Sequence, residues 1–73
     1  MSDRLIRRTG EALYGPRWQA DLARELDVSE RTIRNWVAGA AEPPIGVYVD
    51  LLRIVIERGA ELDEIEQKLK ERA

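Results

Sequence analysis

Between residues 19 and 39 the chain reads QADLARELDVSERTIRNWVAG, and this stretch limits the fold more than any other. Its apolar residues recur at helical spacing, in two runs that are each too short to stand alone as a helix in water. Trp18, Leu22, Ala23 and Leu26 make one inner stripe. Asp27 interrupts it, Val28 adds an apolar residue in the bend, and Ser29 has the side chain to cap a new helix by accepting a bond from a free backbone N–H. In that new helix Ile33, Trp36 and Val37 share a face by the 100° step, while Arg31 and Asn35 project nearly opposite, with Arg34, Thr32 and Ala38 beside them. Two short helices of this kind must bury their stripes against each other and against further helices.

The flanks supply those helices. Residues 3–14 place Leu5, Ile6, Thr9, Ala12 and Leu13 on one side of a first amphipathic helix, which Gly10 weakens and Gly15 ends. Pro16 suits the first turn of the next helix, predicted over 16–26. Pro43 and Pro44 stop the third helix. From 45 to 58 nearly every residue is apolar, yet Gly46, Asp50, Arg53 and Glu57 recur at helical steps, so a helix with one narrow polar stripe is expected despite the β-branched run at 54–56. Gly59 is expected to break it. A fifth, highly charged helix should follow, with Leu62, Ile65 and Leu69 inside. The expectation is an all-α, compact bundle of about five helices, one domain over residues 1–73.

Composition narrows the function. With no cysteine and no histidine, the chain lacks a disulfide framework, the best zinc ligands, the usual general base near neutral pH and the usual thiol nucleophile. Ser2, Ser29, Thr9 and Thr32 carry the alcohols, with no base to activate one, and the glycines stand singly where a phosphate-binding loop needs them clustered. Catalysis, a metal and a cofactor are therefore not expected. The charged N-terminus has no signal-peptide core and no apolar run approaches the roughly 18 residues of a membrane span, so a cytoplasmic location is expected.

Charge is uneven. Residues 1–40 hold seven arginines and six acids, whereas 41–73 hold five bases and eight acids, within a net charge of −2. Any nucleic-acid surface is expected on the first half.

Taken together, Gln19, the Leu22–Ala23 pair, Leu26, Val28, Ser29, Thr32, Ile33, Trp36, Gly39 and the following proline resemble the helix-turn-helix domains of the phage repressor and Cro type. The resemblance covers residues 19–44 and implies a lambda-repressor-like fold, a sequence-specific DNA-binding regulator and a phage or mobile-element origin. One residue departs from the pattern: Asp27 stands where the family usually has glycine in a left-handed conformation, which aspartate tolerates better than most. The family resemblance further implies that Gln19 and the start of the second helix clamp a phosphate, with Ser29 nearby and Arg17 in reach. A major groove admits one helix, in which arginine suits guanine and asparagine adenine. Arg31 and Asn35 are the first expected base contacts, flanked by Arg34 and Thr32. Against this, Glu30 and Arg34 stand one turn apart and are able to form a plain surface ion pair. Arg4, Arg7 and Arg8 read as a solvated face.

The helix at 45–58 is too apolar all round for one small core, and exposed apolar surface of this extent marks protein contact. A two-fold homodimer through residues 45–73, with Val47, Tyr48, Leu51, Ile54 and Val55 at the contact, would set two recognition helices about 34 Å apart on a palindromic operator of double-stranded DNA. The competing arrangement folds the fifth helix back over this surface. A competing function is a helix-turn-helix antitoxin, whose main partner is a toxin, or an adaptor that does not bind DNA.

Overall fold

The computed structural model describes residues 4–73; the expected first helical residue, Asp3, lies outside them, as does Ser2. Every regular element among the described residues is helical: α1 (Arg4–Tyr14), a 3-10 turn (Gly15–Arg17), α2 (Trp18–Leu26), α3 (Glu30–Ala38) and α4 (Ile45–Arg72). The all-α expectation holds, with four α-helices. None of them is long and apolar enough to cross a membrane.

The core is built where the inner stripes meet. Ile6, Leu22 and Ile33, one each from α1, α2 and α3, are wholly buried, and Trp18, Ala23, Trp36 and Leu51 close around them. Leu26, Val28, Val37 and Val47 pack partly buried at its edge. In α1 the buried side runs through Ile6 and Gly10, with Leu13 half-buried and Leu5 and Ala12 exposed, so the helix is turned away from the side expected from its apolar spacing. The reason is Trp18. A Cβ on Gly10 would lie 2.1 Å from its Cε3, so the bare backbone of α1 is the floor on which the indole rests.

The expected break at Gly59 does not occur. Residues 45–72 are one uninterrupted α4, 28 residues long. A glycine within a helix costs about 1 kcal/mol relative to alanine and forbids nothing, and no proline follows to enforce a stop. Exposed pairs of one helical turn run along this stretch, Arg53–Glu57 at 3.3 Å, Glu64–Lys68 at 3.5 Å and Glu66–Lys70 at 4.0 Å, each adding a few tenths of a kcal/mol. The inner half of α4 lies on α1. Arg58 places its guanidinium 5.8 Å from the Tyr14 ring centroid, and the Tyr14 hydroxyl is held above the usual phenol range, first by burial and then by Glu25, with Arg58 opposing. Beyond it, residues 60–73 are all exposed, so the outer half of α4 does not fold back.

Of the five residues expected at a dimer contact, Leu51 and Ile54 are buried in the chain's own core and Val47 packs against it. By the 100° step Val47, Leu51 and Ile54 share one side of α4, with Tyr48 and Val55 on its edge along α1. Tyr48 and Val55 remain at the surface.

Candidate nucleic-acid interface

The turn between α2 and α3 is closed by the backbone itself. The Val28 N–H donates to the Ala23 carbonyl at 2.9 Å and the Asp27 N–H to the Arg24 carbonyl at 3.3 Å, which satisfies two of the carbonyls a helix leaves unpaired at its end. This pattern requires a left-handed residue, and Asp27 occupies that region with φ 56°. Aspartate is the compromise residue here: it enters the region more readily than most side chains and less freely than glycine. Val28 then turns inward against the core, and Ser29 opens α3.

Ser29 is extended and its Oγ accepts from the Thr32 N–H at 3.1 Å, as expected of a capping serine. The same oxygen lies 2.9 Å from the Thr32 hydroxyl. The two side chains expected to touch DNA at this end of α3 thus hold each other, and Thr32 is half-buried. At the far end Gly39, left-handed with φ 80°, repeats the closure: its N–H reaches the Trp36 carbonyl at 3.2 Å and the Ala40 N–H the Asn35 carbonyl at 2.9 Å. Both ends of this nine-residue helix are therefore fixed.

Between the caps, Ile33 and Trp36 are buried and Arg31, Arg34 and Asn35 are exposed. Among the described residues none of these three side chains has a hydrogen bond or ion pair. The Glu30–Arg34 pair that helical spacing allows is not formed. Elsewhere in the first half Arg7 is held by Glu11 at 2.7 Å and Arg24 by Asp21, while Arg4, Arg8 and Arg17 have no ion pair among the described residues. The supporting helices thus neutralise part of their basic charge internally, whereas α3 presents two unpaired guanidinium groups and a free amide.

Gln19 stands at the second position of α2 and is half-buried; Arg17, in the 3-10 turn before it, is exposed. Gln19 lines an open cleft of about 650 Å³ with Arg7, Glu11, Gly15, Pro16, Trp18 and Val37. The cleft joins the start of α2 to the side of α3, bringing Gln19 beside the helix that carries Arg31 and Asn35. Arg7 is the participant missed in the sequence. Its i, i+4 spacing from Glu11 announces the ion pair, but nothing local shows that the pair borders the start of α2.

Comparison of the chain with protein-family models, with curated proteins and with solved structures finds no match.

Proposed function

We propose that this chain is a helix-turn-helix, sequence-specific DNA-binding regulator of the lambda-repressor-like kind, acting as a homodimeric repressor on a palindromic operator. The carrying observation is the pair of unpaired arginines and the asparagine on the exposed side of α3, a helix clamped at both ends and buried along its other face. Such a helix meets the major groove with its side chains free and its backbone already fixed, so little backbone order is lost on binding. Arg31 and Asn35 read bases. Arg34 adds a base or phosphate contact, and Thr32, tied to Ser29, acts mainly by holding the start of α3. Gln19 and Arg17 take phosphates at the start of α2, where backbone N–H groups favour an anion.

The net charge of −2 gives weak attraction to DNA in general, so discrimination rests on these few base contacts and on doubling the domain. Arg31→Ala should weaken binding to a selected operator by about 1–3 kcal/mol and relax preference at one base pair. A gel-shift titration on DNA selected from a random pool measures both; unaltered affinity and unaltered preference would remove Arg31 from the reading face.

A second reading is favoured by one feature, the exposed apolar side of α4, which includes Leu52 and Ile56, each about 60% exposed. It makes the chain an antitoxin or adaptor whose main partner is another protein. A stoichiometric second protein in material purified from the native source, without any DNA shift, favours that reading.

A further inference from the structure

The outer half of α4 has a row of apolar side chains that no other described residue covers: Leu62 is 58% exposed, Ile65 45% and Leu69 63%. The inner half, beside α1, has the complementary shape. Two adjoining apolar grooves run between these helices, one of about 290 Å³ with Leu5, Tyr48, Leu52 and Val55 in its walls, the other of about 450 Å³ reaching Arg8, Gly59 and Leu62. We infer that the occupant of these grooves is a second copy of the chain, laid antiparallel, with each outer half of α4 seated in the other's α1–α4 groove.

The register supports this occupant. With the two-fold axis between Arg58 and Gly59, Val55 stands opposite the partner's Leu62, Leu52 opposite the partner's Ile65, and Tyr48 opposite the partner's Leu69. One setting thus covers the apolar row and both grooves at once, and two-fold symmetry makes every contact twice. The row Tyr48, Val55, Leu62, Leu69 repeats every seven residues, the period that keeps one seam facing a partner helix.

Charge fits the same register. Arg8 lies on the groove rim beside Val55 and Arg58 and has no ion pair among the described residues. The antiparallel setting brings to that level the partner's Glu61, which its own Arg58 holds only at 3.8 Å. A parallel pairing would instead set Glu61 beside the partner's Glu66. Gly59 falls at the crossing point; a Cβ there meets nothing within 4 Å among the described residues, so their packing does not call for its bareness, whereas two backbones crossing at that point use it.

The inference specifies the dimer contact of the function proposed above and is tested without DNA, so its failure leaves base reading by α3 standing. Sedimentation equilibrium should find a dimer. Ile65→Asp and Leu69→Asp together should raise its dissociation constant about a hundredfold or more, with the buried Trp18 and Trp36 fluorescence of the monomer unchanged. A wild-type monomer at all concentrations, or a dimer indifferent to both substitutions, overturns the inference. Orientation is read in the cysteine-free chain by Val55→Cys and Leu62→Cys. In a redox buffer each variant alone should stay unlinked and their mixture should form the mixed disulfide; links within each variant alone overturn the antiparallel register.

Discussion

α3 and the outer half of α4 are written in the same style, an apolar row at steps of three and four flanked by charge, and they end in opposite circumstances. In α3 the row is buried on Leu22 and its neighbours and the charged side is left free. In the outer half of α4 the apolar row is itself exposed. Amphipathicity, then, does not determine which side of a helix is available to a partner; the stop signals do. Ser29 and Gly39 confine α3 to the length its supports can cover. No such signal interrupts α4, so its row continues past the end of α1.

Substitutions that exchange these circumstances should have unequal effects. Trp36→Ala removes the largest side chain of the buried side of α3 and should cost about 3–5 kcal/mol in denaturant unfolding; a loss below 1 kcal/mol would mean that α3 is held by something else. Gly10→Ala pushes a methyl group into the Trp18 ring and should cost about 1–3 kcal/mol, although alanine is the better helix former. Stabilisation by that change would refute the packing of α1 on Trp18. Asp27→Gly relieves a left-handed residue that carries a Cβ and should raise stability by about 0.5–1 kcal/mol, readable as a higher denaturant midpoint at constant slope. Leu69→Ser, in protein dilute enough to be monomeric, should change the free energy of unfolding by less than about 0.5 kcal/mol. A large loss there would show that the outer half of α4 is part of the protomer's core.

Much of the first half was legible in the sequence because its punctuation is local. Gly15, Ser29 and Gly39 each mark a boundary through their own backbone chemistry, and the left-handed conformation at Asp27 is what the resemblance to the repressor-type helix-turn-helix implied. Leu22, Ala23, Ile33 and both tryptophans are buried where spacing put them. What stayed hidden depends on groups distant in the chain. The packing of Trp18 on Gly10 turns α1, so that Ile6 is enclosed while Leu5 and Ala12 are left at the surface. Gly59 was misjudged because its cost is a matter of degree, and the surrounding helix outweighs it. Leu51 and Ile54 resembled a subunit contact because an apolar run does not reveal which of its sides meets its own chain. For the candidate interface, the exposure of Arg31, Arg34 and Asn35 was readable from the helical step, whereas the Ser29–Thr32 bond and the position of Arg7 beside Gln19 were not.

The continuity of α4 through Gly59 also makes the helix a keeper of angular phase. Each residue along it turns the following side chains by about 100° and advances them by about 1.5 Å, so the direction of the outer apolar row is geared to the direction in which α3 presents its arginines. One residue added at position 59 would swing that row away from its present heading while altering, of the ion pairs along α4, only Arg58–Glu61, which spans the point. Seven added residues would nearly restore the heading but move the row outward by about 10 Å. The rod thereby couples the length of the chain to the aim of its surface, a constraint that a broken helix with a flexible joint at Gly59 would not impose.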